Sequence, residues 1–279
     1  MGIRQLKNSF AQWLITLGGI SVLMTLVLIF MYLLYVIKPI FSAAEVEQSL
    51  GFEISTSHHI LDTGVDELQE LAFTINEQGT IDYYRLLPEG NKVLGSKAFS
   101  QQLTDADTGL SKVINLDSEQ KLIIDENSNV QLIAAKFRSD FSSAQRKIVP
   151  YVEYPLGKDF LAVDTENSSF TQLAFAMDSE RAIFVGYTAD GRLLKTTLIA
   201  EDDFSYDPSF DIVYQDIPFN GQAIDEIKIT PDLSFAFVLS GDQVLVFDLT
   251  DEDEVELKSS ISPQLAKNTR NPAHITAMA

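Results

Sequence analysis

The sequence predicts a mainly β protein, in which an N-terminal transmembrane helix precedes a β-propeller-like repeat domain of about four blades. Two patterns support this prediction. Residues 13–37 form an uncharged apolar run that is long enough to cross a membrane. Beyond residue 60, short β-rich runs separated by polar turns recur at intervals of about 50 residues, which is the size of a propeller blade.

Composition sets the first limits on function. The 279-residue chain contains 20 Lys and Arg against 40 Asp and Glu, a formal net charge of −20. It lacks the basic surface that would neutralise phosphates, so we expect no nucleic-acid partner. The absence of cysteine excludes disulfides, thiolate zinc sites, iron–sulfur clusters and cysteine nucleophiles. With 46% hydrophobic residues, the chain has enough apolar side chains for a folded core.

The predicted membrane helix covers residues 13–37, a run of 25 residues without Asp, Glu, Lys or Arg. At a rise of about 1.5 Å per residue, such a helix crosses a hydrocarbon core of roughly 30 Å. Trp13 at one end, and Tyr32 and Tyr35 at the other, match the preference of amphipathic rings for the headgroup region.

The charges that flank the helix predict its orientation. Residues 1–12 carry Arg4 and Lys7 and no acidic residue. The positive-inside rule therefore makes this N-terminal segment cytoplasmic and places residues 40–279 on the opposite side of the membrane. Residues 38–60 are the predicted linker to the repeat domain.

A cleaved signal peptide is the alternative to a retained anchor, because Ser42, Ala43 and Ala44 offer small residues at a plausible cleavage point. However, the hydrophobic region of a signal peptide is about 7–15 residues long, and this run is much longer. A buried helix of a soluble protein is a further alternative, but an uncharged run of this length is unusual in an acidic chain. The length favours a retained transmembrane helix.

The repeat domain is predicted to span residues 61–279 and to consist of similar strand–turn–strand segments. The paired runs are 71–76 with 80–84, 122–125 with 130–133, 173–178 with 182–187, and 227–232 with 235–239. Their turn residues are Asn76, Asp125, Asp178 and Asp232. The intervals of 49, 53 and 54 residues between these turns predict one blade per segment.

Hairpin turns predict a third strand in the last two segments. Asp190-Gly191 and Gly241-Asp242 supply the positive φ angles that tight hairpin loops require. Three or four antiparallel strands per repeat are typical of a propeller. A β-sandwich whose hairpins happen to be evenly spaced is the alternative, and the repeat period favours the propeller.

The end of the sequence predicts an unfinished repeat. A fifth turn at the same interval would fall beyond residue 279, and residues 274–279 resemble the opening strand of a fifth segment. We therefore expect the chain to be a truncated product or the N-terminal piece of a longer protein. An open arc of blades would leave the last one with an exposed edge.

The sequence predicts no catalytic, cofactor-binding or metal-binding residue. It contains neither a phosphate-binding glycine loop nor a Gly-x-Ser-x-Gly nucleophile elbow. His58 and His59 lack the spacing of metal ligands and are expected to be exposed loop residues. Residues 105–109 resemble the start of a calcium loop, but Leu116 stands where the twelfth position requires an acid. Without an acid, base and nucleophile set, we expect no enzymatic activity.

Two acidic runs are further candidates for binding. Residues 251–254, Asp-Glu-Asp-Glu, have the chemistry to bind a hard cation or a basic partner surface. Such a run is more often a solvated turn between strands, which is the prediction here. Residues 201–203 are also predicted to form a loop.

The residues around the helix carry a resemblance to a known family. Residues 17–22 (LGGISV) and 32–41 (YLLYVIKPIF), followed by an acidic exported repeat, resemble the PstC-type permease subunit of the phosphate ABC importer, in its long gamma-proteobacterial form. In that family the first transmembrane helix leads into a large extracytoplasmic insertion, and the remaining helices follow. The resemblance covers only the N-terminal portion of such a permease. No residue of the family's substrate pathway has a counterpart in this sequence.

The resemblance implies a bacterial inner membrane, with residues 40–279 in the periplasm. It also implies a second permease subunit, ATPase subunits that drive transport, and a periplasmic phosphate-binding protein as partners. Because an acidic surface repels phosphate, we expect the exported domain to dock a partner rather than bind the anion. The alternative is a single-pass, membrane-anchored propeller that acts as an envelope scaffold or sensor.

Overall fold

The computed structural model describes residues 2–38, 51–54, 57–87, 93–105, 108–142, 146–201, 208–220, 223–251 and 254–262. The chain divides into two compact units, Met1–Gly51 and Phe52–Ala279. The first contains a helix and the second contains the strands.

The N-terminal helix, α1, runs from Gly2 to Ile37. Its segment Gln12–Ile37 contains 26 residues with a mean hydropathy of 2.6, and its side chains are exposed on every side. Thr16, Ser21 and Thr25 donate hydrogen bonds to backbone carbonyls of the preceding turn, so their hydroxyls are satisfied within the helix. The segment contains the predicted span and is long and apolar enough to cross a membrane.

Within the described residues, sixteen strands form four sheets, and each sheet is a four-stranded antiparallel meander. The first sheet contains β1 (Ile60–Val65), β2 (Leu71–Asn76), β3 (Thr80–Arg85) and β4 (Lys97–Gln102). The second contains β5 (Leu110–Asn115), β6 (Gln120–Asp125), β7 (Val130–Asp140) and β8 (Lys147–Glu153). The third contains β9 (Phe170–Met177), β10 (Arg181–Thr188), β11 (Leu193–Ala200) and β12 (Phe210–Ile217). The fourth contains β13 (Ile224–Ile229), β14 (Phe235–Ser240), β15 (Gln243–Asp248) and β16 (Glu256–Ile261).

Three clusters of buried apolar side chains join these sheets in chain order: first to second, second to third, and third to fourth. Consecutive residues of β6 belong to different clusters, because Ile123 packs towards the first sheet and Leu122 towards the third. In β10, Phe184 packs towards the second sheet and Ile183 towards the fourth. The two middle sheets are therefore buried on both faces.

This packing distinguishes the fold from a β-sandwich, in which each sheet buries one face against a single partner. Here the sheets stack in series, and the first strands of neighbouring sheets lie side by side, β1 with β5 and β9 with β13. Four-stranded meanders packed in this way are the blades of a propeller. The predicted fold class, a mainly β, propeller-like domain after an apolar helix, is confirmed.

Polar side chains at the strand ends explain where the turns form. Asn76 and Asp125 each accept hydrogen bonds from two backbone amides of the following turn, at 2.8–3.1 Å. The side-chain oxygen accepts hydrogen bonds from backbone amides that have no partner strand at this point, and it thereby stabilises the turn. The side chains that act in this way after the first or second strand of a sheet include Asp66, Asn76, Asp117, Asp125 and Asp178.

The sheets correct the predicted alignment of the repeat. Asn76 and Asp125 lie between the second and third strands of their sheets, whereas Asp178 and Asp232 lie between the first and second strands. The intervals of 49, 53 and 54 residues were therefore measured between two different kinds of turn. These turns look alike in sequence because both carry an Asn or Asp that accepts backbone hydrogen bonds. The blades begin at Ile60, Leu110, Phe170 and Ile224.

The described residues near the two ends of the domain differ in how they pack. The ring of Phe52 lies against Gly95, so part of the predicted linker 38–60 packs on the domain. At the other end, every residue of β16 is exposed, including Leu257 and Ile261. Among the described residues, none of the three apolar clusters contains side chains from both the first and the fourth sheet. The predicted opening strand at 274–279 lies outside the described residues.

Candidate functional site

The structure places the adjacent histidines just before β1. His59 is exposed, its carbonyl accepts a hydrogen bond from the Glu77 amide at 3.0 Å, and its own amide donates to the Glu77 carboxylate at 3.2 Å. Within the described residues, no group of three or more His, Cys, Asp or Glu side chains is arranged to hold a metal ion. His59 therefore contributes its backbone to the start of the first sheet.

The structure describes part of the segment that resembles the start of a calcium loop. Asp105 lies in the linker between β4 and β5, and the next two residues lie outside the described part of the chain. Leu116 packs against the apolar cluster between the second and third sheets. A half-buried apolar residue therefore occupies the position where an EF-hand needs its bidentate acid.

The acidic run 251–254 lies between β15 and β16, as predicted, and residues 252–253 are outside the described set. The ammonium group of Lys195, a residue that is only 2% exposed, donates hydrogen bonds to the carbonyls of Leu249 and Asp251 at 3.3 and 2.9 Å. Lys195 belongs to β11, so this contact fastens the turn of the fourth sheet to the third sheet. Glu201 follows β11 at the start of the other acidic run, and its amide donates to the carbonyl of Ser209.

A second buried lysine joins the first two sheets. Lys121 of β6 lies 2.8 Å from the carboxylate of Asp62 in β1, and its ammonium is 5.5 Å from the centre of the Phe73 ring. Asn115 of β5 donates to the same carboxylate at 3.0 Å. Because a buried charge is stable only when it is paired, this network is a structural tie between sheets.

Arg192, in the turn between β10 and β11, holds the long linker between the second and third sheets. Its guanidinium binds Asp164 through two nitrogens, at 2.7 and 3.3 Å, and also bonds Ser168 and Asp190. Burial alone would raise the pKa of Asp164, but hydrogen bonds from Arg192 and from the backbone amides of Ser168 and Glu166 keep it below its usual range. Asp164 therefore stays charged, and the linker remains fastened.

A cleft of about 410 Å³ lies between the first and second sheets. Its lining comes from the end of β4 and the linker after it, the end of β6, and the linker after β8: residues 101–105, 108, 125, 154 and 158–160. Most of the lining is polar, with two aromatic rings, Tyr154 and Phe160. Its size falls in the range of small-molecule and side-chain binding sites.

The end of β4 and the linker after β8 are held together across the cleft. Gln101 donates a hydrogen bond from its side-chain amide to the Tyr154 hydroxyl at 2.9 Å. Burial raises the pKa of Tyr154, so this phenol is protonated at neutral pH. Gly79, at a φ of 73°, lets the chain pass so close to Thr104 that any Cβ there would overlap it.

The carboxylates that line the cleft differ in their hydrogen bonding. Both oxygens of Asp125 accept hydrogen bonds, Oδ1 from the backbone amides of Asn127 and Asn129 and Oδ2 from the side-chain amide of Asn129. Asp105 and Asp159 are exposed, and within the described residues their carboxylates form no hydrogen bond or ion pair. Lys158 is the single cation among the lining residues. The charge balance therefore favours a cation over an anion.

Three residues of this cleft stand out in the sequence: Asp105 and Thr108 in the segment that resembles a calcium loop, and Asp125 as a turn residue. Gln101 and Tyr154 are 53 residues apart, so no motif connects them. The nearest predicted runs before these two residues end at residues 84 and 133, so no local pattern in the sequence marks the pair.

Comparisons with known proteins show no match among protein-family models and none among curated proteins. Solved structures do align with this chain. They include the β-propeller domain of Cps50 (Swd1) from Myceliophthora thermophila, with 12% identity, a TM-score of 0.33, and coverage of 73% of this chain and 58% of that one.

Two further structures align to a similar extent. The Dos1 propeller has 10% identity and a TM-score of 0.39, covering 76% of this chain and 60% of that one. A functionally unknown protein from Desulfotomaculum acetoxidans has 11% identity and a TM-score of 0.28, covering 75% of this chain and 72% of that one. This chain thus spans about three fifths of the length of the first two structures. The assignment of the fold rests on the four meanders and the packing between them.

Proposed function

We propose that this protein is a membrane-anchored docking module. Helix α1 spans a bilayer, and the acidic propeller-like domain binds a protein partner. The observation that carries the proposal is a helix with apolar side chains on every side, followed in the same chain by a separate compact unit of four sheets. A helix of this kind is stable in lipid, where it satisfies its own backbone hydrogen bonds.

The chemistry of the domain supports a basic partner. The chain carries twice as many acidic as basic residues, and complementary charge accelerates the encounter with a partner of opposite sign. The cleft between the first two sheets has three aspartates against one lysine. Phosphate and other small anions are disfavoured there for the same reason.

A more specific form of the proposal follows from the resemblance to the phosphate permease subunit. In that form the membrane is the bacterial inner membrane, the domain is periplasmic, and its partner is the periplasmic phosphate-binding protein. A second permease subunit and the ATPase subunits then assemble with the membrane-spanning part. The resemblance in residues 17–22 and 32–41 is the support for this form.

Purification from native membranes tests the docking function. We expect the tagged full chain, extracted in mild detergent, to retain a partner that is released at high salt. The control is the same helix joined to an unrelated acidic domain, which should retain nothing comparable. Identical sets of proteins on both baits would contradict the proposal. For the more specific form, saturable binding of purified phosphate-binding protein to the full chain is expected, and its absence would overturn that form alone.

The size of the native gene product separates the permease from the single-pass alternative. A blot of native membranes should show a band far above 31.0 kDa if this chain is the front of a polytopic permease. A band at 31.0 kDa would favour a single-pass scaffold or sensor. In both cases the band should be extracted only by detergent.

A further inference from the structure

We infer that the first two sheets contact an anionic lipid surface through a patch of apolar and basic side chains. This lipid-contact patch consists of Arg85, Leu87, Phe141, Arg146 and Lys147. The inference rests on the membrane attachment proposed above and adds the part of the domain that meets a bilayer. Residues 88–92 and 143–145 lie outside the part of the chain that the structure describes and are not included in the patch.

The first step concerns position. Leu87 lies two residues after β3, and it lines a hollow of about 210 Å³ together with Arg146 and Lys147. Asp140 of β7 pairs with Lys147 of β8. Phe141 and Arg146 therefore leave these two strands at the same end of the hairpin. The patch thus combines side chains from neighbouring sheets at one surface.

The second step concerns exposure. Phe141 is 72% exposed and Leu87 is 53% exposed, whereas most apolar side chains of the strands lie in the three clusters. Apolar side chains that project beside basic ones are typical of surfaces that enter the headgroup region of a bilayer. A specific protein interface buries about 800 Å² on each partner, which two separate side chains at strand ends do not supply. The exposure therefore favours lipid over a protein partner at this patch.

The third step concerns charge. Three cations line the hollow, Arg85, Arg146 and Lys147, against one carboxylate, Glu70, which pairs with Arg146. Asp140, which lies opposite Lys147, accepts hydrogen bonds within its own hairpin. The cleft of about 410 Å³ has the reverse balance, with three aspartates and one lysine. In a chain with a net charge of −20, the patch is therefore a place where an anionic surface is attracted.

The fourth step compares equivalent connections. In the first two sheets, the connections from the third to the fourth strand carry Leu87 and Phe141. In the third and fourth sheets, the equivalent connections carry the acidic runs 201–203 and 251–254. Anionic lipid attracts basic segments close to its surface and repels acidic ones. The first two sheets therefore meet the lipid, and the acidic connections stay available for the basic partner proposed above.

Tryptophan quenching in the full chain, reconstituted into bilayers, tests the inference. Trp13 is the single tryptophan of the sequence, so Trp13→Phe gives a background without one. Phe141→Trp then places a probe in the patch, and Leu257→Trp places a control probe at an exposed position of β16. Lipids that carry bromine on their acyl chains quench tryptophan only at close range. In bilayers containing phosphatidylglycerol, we expect the probe at 141 to be quenched at least threefold more than the probe at 257.

Charge variants test the electrostatic part. Lys147→Glu should reduce the quenching of the probe at 141 at least twofold, and Lys147→Gln should reduce it less. Lys112→Glu makes the same change of charge at an exposed lysine of β5 outside the patch and should leave the quenching unchanged. Replacing phosphatidylglycerol by phosphatidylcholine should act like Lys147→Glu. Equal quenching of the two probes, or quenching that is insensitive to both kinds of charge change, would overturn the inference.

These outcomes are separable from the proposed function. If the chain resists carbonate extraction but the probe at 141 is not quenched, the anchor stands and the lipid contact is wrong. If the mature chain lacks the helix but anionic vesicles still quench the probe, the contact stands and the anchor is wrong. The Lys147→Glu chain should retain its protein partner, because the acidic connections are unchanged. Loss of that partner would show that the patch binds protein and would overturn the lipid contact.

Discussion

Aspartate side chains close many of the turns in this protein. Asp66, Asp117 and Asp178 accept backbone hydrogen bonds between the first and second strands of their sheets, and Asp125 does so between the second and third. Asp is favoured at such positions because its short side chain reaches the amides two to four residues further along. Part of the large acidic surplus is therefore a consequence of building sixteen strands with short turns, and is not itself a sign of a binding site.

Replacing one of these carboxylates tests this role. Asp125→Ala should lower the free energy of unfolding by about 1–2 kcal/mol, because two turn amides lose their acceptor. Asp125→Asn keeps an oxygen in the same place and should cost clearly less. Urea unfolding followed by circular dichroism measures both. Equal losses for the two variants would show that charge, and not hydrogen bonding, is what matters at this turn.

A pH dependence follows from the same contacts. Hydrogen bonds from the amides of Glu180 and Arg181 keep the pKa of Asp178 below its ordinary value of 3.8. In the pH range below about 4 the unfolded chain therefore binds more protons at this site than the folded chain, and stability decreases as pH falls. The contribution of Asp178 is complete above about pH 5.

The measurement compares the parent chain with Asp178→Asn, which keeps the acceptor but does not titrate. Urea midpoints at pH 7, 5, 4 and 3 should diverge, with the parent chain losing more stability than the variant below pH 4. Comparing the two chains removes the opposing effect of weaker acidic repulsion at low pH, which both share. Parallel curves would contradict the assigned role of Asp178.

The sheets are held together by alternating side chains that point to opposite neighbours. In β6, Leu122 belongs to the cluster with the third sheet and Ile123 to the cluster with the first, and both are completely buried. Lys195 adds a polar tie between the third and fourth sheets. The last strand, β16, has exposed side chains throughout. Stability should therefore be greatest in the middle sheets and smallest at β16.

Truncating the two neighbours in β6 tests whether this sheet is buried on both faces. Leu122→Ala and Ile123→Ala should each cost about 2–5 kcal/mol of unfolding free energy, since each leaves a cavity in a different cluster. Leu257→Ala in β16, at 54% exposure, should cost less than about 0.5 kcal/mol. If one of the two β6 variants were as mild as Leu257→Ala, that face of the second sheet would be open and the serial packing of sheets would be wrong.

The two units of the chain are suited to different surroundings, one to lipid and the other to water. The segment Gln12–Ile37 exposes apolar side chains on every side, whereas the strands enclose their apolar side chains in three clusters. A single chain with both properties fits a protein that is held at a membrane and presents its folded domain to water.

Membrane extraction tests the anchor. The full chain should remain in the membrane pellet after alkaline carbonate treatment, and deletion of residues 2–38 should move it to the soluble fraction. Leu26→Arg should weaken insertion, at a cost of about 2.5–3.5 kcal/mol at the helix centre, while Leu26→Ile should not. The N-terminal sequence of the mature protein distinguishes a retained anchor from a cleaved signal peptide. A mature chain that begins beyond Ala44 would show that the helix is a cleaved signal peptide.

The features that were predictable from the sequence are those with a local cause. The helix follows from one uninterrupted apolar run, and the strand–turn–strand segments follow from apolar residues bounded by Asn, Asp and Gly. The strands β2, β3, β10 and β14 were all located in this way. The same local patterns make the turn after a first strand look like the turn after a second strand. For this reason the predicted alignment of the third and fourth blades with the first two is displaced by one strand.

The remaining features depend on residues that are distant in the chain. Which turn belongs to which pair of strands is decided by hydrogen bonding between strands, and the burial of both faces of β6 and β10 is decided by the sheets on either side. Gln101 and Tyr154 meet across 53 residues because successive sheets bring their linkers together. The cleft between the first and second sheets arises from this stacking. Contacts of this kind cannot be predicted from the spacing of residues along the chain, because only the packing between sheets creates them.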